Sequence, residues 1–370
     1  MLKKSIRGIL VLVLVLIIGN SVWASGAVEE TQSSGPGGPH AAEVMELVEN
    51  KAEGMKIGIT VGDLASTWIN AAVSYEIALL EAAGATVYMS NSNGDLGQQV
   101  EQIQDYVTMG CEILLIHTAN TKGIETAVRN AEEQGVICVG FNIEIGDDAI
   151  FTVSSSDNVK TGYSAALWLA EKAEEENVEN AKIAVMQGTM TQSDAYLRQE
   201  GIDKVAEEYG LQLIECPSHW SADEAESQLS DVLTANDDVF GIITHCDSMT
   251  SGVISALKQD GYGPSGSDKH IYWSGIDADS IGIAALEDGW IDVEIEQNPL
   301  ALATVVAKGV LNYVIPGNAE ALGKVKIPME TRVVTADDIG DDTLWGYYDY
   351  ESMTEWWAGT KTAWNYYMNF

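Results

Sequence analysis

The fold of this chain is decided by the run KIGITV at residues 56–61 and by three similar runs that follow it. The later runs are ATVYMS (85–90), EILLIH (112–117) and VICVGF (136–141). Stretches of helical length and period separate them. The runs are almost continuously apolar, as expected for parallel strands covered by helices on both faces. The alternation therefore predicts a βαβα lobe.

A second series of apolar runs follows the first. It consists of KIAVMQ (182–187), LQLIEC (211–216), VFGIIT (239–244), IYWSGI (271–276) and WIDVEI (290–295). The chain is therefore predicted to carry two consecutive parallel-sheet lobes. Ligands of such sheets bind beyond the carboxyl ends of the strands, so functional residues are expected directly after each run.

Size and charge narrow the classes of function. With 370 residues, 46% of them hydrophobic, the chain can bury a full core and form about two domains. It has 19 lysines and arginines against 56 aspartates and glutamates, a formal charge of −37. Phosphates would be repelled, so we expect no nucleic-acid partner. We interpret the acidity itself as a solvated surface.

Motifs for catalysis or metal binding are not indicated. The cysteines at 111, 138, 216 and 246 lack the spacing of a zinc site or a disulfide framework, although one or two disulfides stay open. The sequence contains no GxxxxGK, HExxH or GxSxG motif. We therefore expect no cofactor, no metal site and no enzymatic activity.

The N-terminus has the pattern of an export signal. Lys3, Lys4 and Arg7 precede an apolar run at 9–18 that is too short to span a bilayer, and Val22-Trp23-Ala24 suits a signal peptidase. We predict a signal peptide at 1–24, a periplasmic location, and a flexible leader at 25–54 that contains SSGPGGP (33–39).

Across about residues 55–335 the chain resembles the type I periplasmic sugar-binding proteins, the ribose-binding family. The resemblance rests on the order of the elements and on four short motifs, Ser156-Asp157-Asn158, Arg198-x-x-Gly201, Gly275-Ile276-Asp277 and Gln297-Asn298-Pro299. It implies an α/β fold of two similar doubly wound parallel-sheet lobes joined by three hinge crossings, near Ser156, Gln297 and Lys326. The lobes would comprise 55–156 with 298–327 and 157–297 with 328–345, followed by an aromatic-rich extension at 346–370.

The resemblance also implies the function. The protein would enclose a sugar or sugar-like small molecule between its lobes and deliver it to a membrane ABC-transporter permease. A sensory receptor of the same fold, and a binder of a nucleoside or polyol, are the alternatives. We expect a monomer.

The family's sugar contacts fall on specific positions of this sequence. Trp68 and Trp220 match aromatic residues that stack on the ligand. Arg198 and Asp277 match charged groups that bond ligand hydroxyls, and Gln297 matches an amide at a crossing. We expect Trp68→Ala or Arg198→Ala to weaken binding while leaving thermal unfolding nearly unchanged.

Other site positions depart from the pattern of the ribose binder. His117, Asn142 and Cys246 are expected to line the cleft, yet they replace an asparagine, an aspartate and an asparagine, and Ile143 replaces an arginine. Unpaired ligand hydroxyls cost affinity, so ribose is disfavoured and a larger or less hydroxylated ligand is expected. Glu144, Asp194 and Asp247 are interpreted as solvated rim acids.

Two features stay open. His117, His245 and Cys246 could bind a metal, but adjacent residues of an extended strand point to opposite sides, which favours ordinary polar roles. Ten aromatic residues lie between Trp345 and Phe370. We expect a short helix that covers one lobe there, with a lid or a docking surface as alternatives.

Overall fold

The computed structural model describes residues 29–30, 51–146, 151–317, 326–329, 331–341 and 344–348. The predicted signal peptide, most of the predicted leader and residues 349–370 of the extension lie outside these ranges.

Thirteen strands are present among the described residues. They are β1 (Glu29–Glu30), β2 (Lys56–Val61), β3 (Thr86–Asn91), β4 (Ile113–His117), β5 (Ile137–Phe141), β6 (Phe151–Ser156), β7 (Lys182–Gln187), β8 (Gln212–Pro217), β9 (Val239–Thr244), β10 (Tyr272–Asp277), β11 (Val293–Glu296), β12 (Lys326–Met329) and β13 (Arg332–Thr335).

Nine α-helices connect the strands of this part of the chain. They are α1 (Thr67–Ala82), α2 (Leu96–Met109), α3 (Glu125–Glu132), α4 (Asn158–Glu175), α5 (Ser193–Tyr209), α6 (Ala222–Ala235), α7 (Thr250–Gln259), α8 (Ser280–Glu287) and α9 (Pro299–Gly309), the last continued by a π-helical turn at Val310–Val314. Short 3-10 turns lie at Asp247–Met249, Ala336–Asp338 and Trp345–Tyr347.

The strands form two sheets, one in each lobe. The first has the order β1-β3-β2-β4-β5-β6-β12 and is parallel except for β1. The second has the order β13-β11-β10-β9-β7-β8 and is parallel except for β13. The predicted pair of doubly wound parallel-sheet lobes is therefore confirmed.

Alternating side chains of the central strands explain why both faces of each sheet are covered. In β4, Ile113 and Leu115 pack with α1 and α9, whereas Leu114 and Ile116 pack with α2 and α3. In β7, the even and odd positions likewise join separate clusters. This arrangement favours strands that are apolar at most positions, which is the pattern that the sequence shows.

Two crossings between the lobes lie where the sequence predicts them. Asp157 follows β6 and caps α4 by accepting a hydrogen bond from the Lys160 backbone at 3.0 Å. Asn298 follows β11 and caps α9 through the backbone of Leu300 and Ala301. Both crossings therefore end at a helix cap.

The third crossing lies later than predicted. Lys326 belongs to β12, which pairs with β6 at the edge of the first sheet, so the chain crosses between Met329 and Arg332. Pro328 lacks a backbone donor and suits such an edge strand. Residues 328 and 329, assigned from the sequence to the second lobe, are thus part of the first sheet.

The N-terminal boundary of the folded region also differs from the prediction. Ala52 is buried in the first lobe and its backbone donates to the Ala83 carbonyl at 2.8 Å. Folded structure is therefore present from residue 51, and Glu29–Glu30 of the predicted leader pairs with β3.

Each of the four cysteines is a buried free thiol. Burial raises the pKa of the Cys111 thiol to about 11 and that of the Cys216 thiol to about 12. None of the helices in the described ranges has both the length and the apolar character needed to cross a bilayer.

Candidate functional site

A cavity lies between the two lobes, at the carboxyl ends of their strands. The parallel register of β2 and β4 places Val61 beside His117, which brings the loops after both strands to the same edge. Seven of the eight predicted site residues line the cavity: Trp68, His117, Asn142, Arg198, Trp220, Cys246 and Asp277. Gln297, the eighth, contacts Arg198 from the crossing.

The backbone is strained at three of these residues. Asn142, Trp220 and Asp277 have positive φ angles of 59°, 66° and 114°. Residues other than glycine rarely have positive φ angles, and such conformations persist only where the surrounding structure enforces them. Their concentration around one cavity is typical of a functional site.

Arg198 is the central cation of the cavity. It is 5% exposed, and its guanidinium donates to the Asn158 side chain at 3.1 Å, to the His245 carbonyl, and to the Gln297 side chain at 3.4 Å. The Asp277 carboxylate lies 3.9 Å away. These bonds fix the plane of the guanidinium and use three of its five N–H donors, which leaves two for ligand oxygens.

Two carboxyl groups lie close to Arg198. Burial raises the pKa of Asp277 to about 7, although the Arg198 charge opposes this effect. Burial likewise raises the pKa of Asp194, which also lines the cavity. Asp277 can therefore accept hydrogen bonds as a carboxylate above neutral pH and donate as an acid below it.

The two tryptophans come from opposite lobes. Trp68 at the start of α1 is 4% exposed and belongs to the first-lobe core, and its indole donates to the Gln297 carbonyl at 2.6 Å. Trp220 is only partly buried and lies 5.8 Å from the Arg198 guanidinium. Each residue therefore has a structural role in addition to lining the cavity.

Trp220 is held in place on several sides. A Cβ atom at position 188 would lie 2.1 Å from its six-membered ring, so only glycine allows this approach. The Ser248 hydroxyl donates to the Trp220 carbonyl at 2.8 Å, and the Trp220 indole donates to Gln192 at 2.6 Å. The orientation of the ring is therefore fixed in the closed arrangement.

His117 and Asn142 form a polar pair in the first lobe. The His117 Nε2 and Asn142 Nδ2 atoms are 3.4 Å apart, and the imidazole packs against Phe141 at a centroid distance of 5.6 Å. Burial lowers the pKa of His117 to about 3, so the ring is neutral at physiological pH. The pair offers neutral hydrogen-bonding groups opposite the charged groups of the second lobe.

The lobes are in contact across the mouth of the cavity. Hydrogen bonds join the Thr121 backbone to the Thr191 carbonyl at 3.1 Å and the Glu144 backbone to the Ser193 hydroxyl at 2.7 Å. The Gln192 side chain donates to the Thr118 carbonyl at 3.2 Å. The molecule is therefore in a closed arrangement.

Several cavity residues were not singled out as ligand contacts from the sequence. They are Asp63, Ala65, Ser66, Ile69, Gln192 and Ser248. All lie in loops or first helical turns that follow a strand. This position is the one feature of the sequence that indicates a place in the cavity. Side-chain direction in these segments depends on tertiary contacts.

The interpretation of two acids as solvated rim residues is wrong. Asp194 is buried in the cavity wall, and Asp247 is fully buried behind it. The Asp247 carboxylate accepts a hydrogen bond from the Asp279 backbone at 2.8 Å, so it stabilises the loop that follows Asp277. Glu144 is half-buried at the interlobe contact.

The expected opposite directions of His245 and Cys246 are observed. Cys246 lines the cavity, where its sulfur lies 2.8 Å from the Ser248 hydroxyl, whereas His245 is fully buried and accepts from the Gly188 backbone at 3.3 Å. Burial raises the pKa of Cys246 to about 12 and lowers that of His245 to about 3. In the part of the chain that the structure covers, no three His, Cys, Asp or Glu side chains are arranged to hold a metal ion.

A glycine-rich stretch of the second lobe does not form a dinucleotide-binding site. The sequence GYGPSG at 261–266 matches GxGxxG by its letters, but it follows helix α7 and precedes strand β10. A dinucleotide-binding turn requires the opposite order, from strand to helix.

Comparisons with known proteins agree with this architecture. The model of the periplasmic binding protein domain family matches residues 57–318. The ribose import binding protein of Bacillus subtilis (strain 168) is 25% identical over 232 residues, which cover 62% of this chain and 72% of that protein. The D-xylose-binding periplasmic protein of Escherichia coli (strain K12) is 26% identical over 267 residues, 70% of this chain and 77% of that protein.

A solved structure shares the fold at lower sequence identity. An ABC transporter solute-binding protein from Clostridium phytofermentans with bound β-D-glucose superposes with a TM-score of 0.70 at 19% identity, covering 80% of this chain and 99% of that one. The resemblance seen in the sequence is confirmed. The chain belongs to the periplasmic binding protein domain family and has the type I fold of its sugar-binding members.

Proposed function

We propose that this protein is a periplasmic receptor that encloses a neutral sugar between its lobes and delivers it to an ABC-transporter permease. The observation that carries the proposal is the composition of one closed cavity: indoles from both lobes together with the buried Arg198 and Asp277 groups. Indole rings pack on the C–H faces of sugars, and charged groups form short hydrogen bonds with hydroxyls.

The charges of the cavity favour a neutral ligand. Asp63, Asp194 and Asp277 line it together with one cation, Arg198, whose guanidinium already has protein partners. A sugar phosphate or sugar acid would meet uncompensated carboxylates in a desolvated site. Two relatives are named as binding proteins for ribose and D-xylose, which supports a monosaccharide as the ligand of this chain.

The ligand contacts of the eight predicted residues are part of the proposal. Trp68 and Trp220 would contact the faces of the ring, and Arg198, Asp277, Asn142 and His117 its hydroxyls. Cys246 would contact an apolar edge, and Gln297 would orient Arg198. Ile69 and Ile143 add apolar surface, which suits a ligand with fewer hydroxyls than ribose.

Mechanistically, binding would favour closure and no bond would be made or broken. A ligand that contacts both lobes stabilises the closed arrangement over the open one by its differential affinity. The crossings at Ser156, Gln297 and residues 329–332 would allow the rotation. The permease would then recognise the closed form of a monomeric receptor.

A ligand screen tests the proposal. The purified mature chain is heated with D-ribose, D-xylose, L-arabinose, D-glucose, L-fucose, myo-inositol, adenosine or glucose 6-phosphate. We expect at least one neutral sugar to raise the melting temperature and glucose 6-phosphate to have no effect. Stabilisation by adenosine alone, or by the phosphate, would contradict the proposal.

A pair of variants connects the binding to the cavity. Trp220→Ala should abolish the stabilisation by the sugar. Trp168→Ala is the matched control, because Trp168 is a partly buried tryptophan of the same lobe that packs on Tyr272 away from the cavity. Equal loss of binding in both variants would show that the cavity is not the site.

A further inference from the structure

The short segment Leu344–Tyr348 connects the cores of both lobes behind the cavity. Leu344 is buried in the core of the second lobe, whereas Trp345, which is 1% exposed, is buried in the core of the first. The Tyr347 hydroxyl donates to Glu287 of α8 at 2.9 Å. The segment lies beyond residues 57–318, the part that the family model matches.

Trp345 bonds directly to the backbone of a site residue. Its indole donates to the Asp277 carbonyl at 3.0 Å, and the same carbonyl accepts from the Gln297 backbone at 3.2 Å. The Gln297 carbonyl in turn accepts from the Trp68 indole at 2.6 Å. Two indoles from the first-lobe core therefore bond to the carbonyls of two consecutive elements of the site.

The backbone that Trp345 holds is strained. Asp277 and Ala278 have φ angles of 114° and 55°, two left-handed residues in succession without a glycine. A Cβ atom at position 346 would lie 2.4 Å from the Ala278 carbonyl, so the segment packs directly on this turn. A strained turn keeps its shape only while its surroundings enforce it.

The opposite side of the turn is held by two buried acids. The Ala278 backbone donates to Glu294 at 3.3 Å and the Asp279 backbone donates to Asp247 at 2.8 Å. These bonds fix the amides that follow Asp277, while the bonds from Trp345 and Gln297 fix its carbonyl. Loss of the Trp345 bond would leave the carbonyl with one protein donor in place of two.

We propose that Trp345 is a positioning residue of the binding site, which holds the strained Asp277 turn so that the Asp277 carboxylate points at the ligand. The inference rests on the proposed function, because it assigns Asp277 to ligand hydroxyls. It gives the C-terminal region a role in affinity and places one determinant of the site outside the family-matched part of the chain.

The test compares two tryptophan variants. Trp345→Phe keeps an aromatic ring and removes the indole donor. Trp273→Phe is the matched control, because Trp273 is fully buried and its indole donates to the Thr244 hydroxyl at 3.2 Å. Both variants should lose thermal stability. Only Trp345→Phe should weaken sugar binding, by about two- to tenfold for one lost hydrogen bond.

A second readout follows Asp277 without a ligand. The titration of the Asp277 carboxyl is measured by ¹³C NMR, with Asp277→Asn to assign the signal. In the wild type the pKa is about 7 because the group is buried. In Trp345→Phe we expect the midpoint to fall, because a released turn lets the carboxyl reach solvent. Trp273→Phe should leave it unchanged.

The two measurements, sugar affinity and the Asp277 titration, can contradict the inference separately from the proposed function. Wild-type affinity and an unchanged Asp277 titration in Trp345→Phe would overturn it. If that variant fails to fold, Gly346→Ala, which presses a methyl group on the Ala278 carbonyl, gives the same two readouts. If the wild type binds no sugar of the panel, the proposed function fails, while the NMR titration still tests the positioning of Asp277.

Discussion

Gln192 of the second lobe donates a hydrogen bond from its side-chain amide to the Thr118 carbonyl of the first lobe, at 3.2 Å. The oxygen of the same amide accepts from the Trp220 indole at 2.6 Å. A single side chain therefore connects an aromatic residue of the cavity with the opposite lobe. Closure and the orientation of Trp220 are coupled through it.

We predict that Gln192→Ala weakens sugar binding by about two- to tenfold, the value of one net hydrogen bond. Without ligand, small-angle scattering should show a larger radius of gyration than in the wild type, since a bond of the closed form is lost. Gln187→Ala is the control, because the Gln187 amide bonds Gln199 within the second lobe at 2.9 Å. An identical effect of both changes would exclude a role for Gln192 in closure.

The affinity should depend on pH through Asp277. Burial raises its pKa to about 7, so the carboxylate that accepts hydroxyl hydrogen bonds is lost as the pH falls through 7. We expect about tenfold weaker binding at pH 6 than at pH 8, measured by calorimetry, as for any ligand that needs the ionised form. Asp277→Asn should bind weakly and with a flat profile. A pH dependence that survives this change would have another source.

Arg198 should contribute to stability as well as to binding. Arg198→Met leaves the buried Asp277 carboxylate without its cation and leaves three acceptors without their donor, so the free energy of unfolding in urea should fall by about 3 kcal/mol. This differs from the expectation derived from the sequence, in which Arg198→Ala leaves thermal unfolding nearly unchanged. The additional change Asp277→Asn should restore part of the loss.

Arg332→Met provides the comparison for Arg198. The Arg332 guanidinium contacts Asp338 and Asp341 at 2.7 Å, but its side chain is 34% exposed. Partly exposed pairs contribute about 1 kcal/mol or less. Arg198→Met and Arg332→Met could lower the free energy of unfolding equally, or the effects of Arg198→Met and Asp277→Asn could be strictly additive. Either result would show that the buried Arg198–Asp277 pair does not stabilise the fold.

Glu76 should limit stability at neutral and higher pH. It is fully buried in α1, and neither carboxyl oxygen has a hydrogen-bond partner among the described residues. Burial raises its pKa well above the usual value, so the folded state holds this proton more tightly than the unfolded state does. Stability from this group is therefore present at low pH and is lost as the pH rises above the unfolded pKa.

Glu76→Gln should raise the melting temperature at pH 7.5, and the gain should shrink toward pH 5. Glu174→Gln, at an exposed position of α4, should change little at either pH. A gain in Glu76→Gln that is constant with pH would mean that the ionisation of Glu76 is not the cause.

The sequence predicts those elements of the fold that have a clear apolar periodicity. The run at 56–61 is apolar at almost every position because both sheet faces are covered, and the strand is found there. Phe151–Ser156 was missed because four of its six residues are serine or threonine, a composition that resembles a loop. Arg332–Thr335 was missed because four residues carry too little periodicity.

The site was predictable where a motif fixes a residue and its loop. Asp277 is the last residue of β10 and belongs to a recognisable motif, and it lines the cavity. Asp194 and Gln192 belong to no motif, and whether such polar residues face solvent or the cavity depends on how α5 packs against the first lobe. The contact between Trp345 and Asp277 joins positions 68 residues apart, which no local pattern reveals.

The burial of every cysteine has a consequence for redox chemistry. Disulfide exchange needs a thiolate, and with pKa values of about 11 to 12 for Cys111, Cys216 and Cys246, the thiolate fraction at pH 7 is on the order of one in ten thousand or less. In the closed form the thiols are thereby protected from oxidants. The unfolded chain exposes the same sulfur atoms, so rapid folding shortens the interval in which they can be cross-linked.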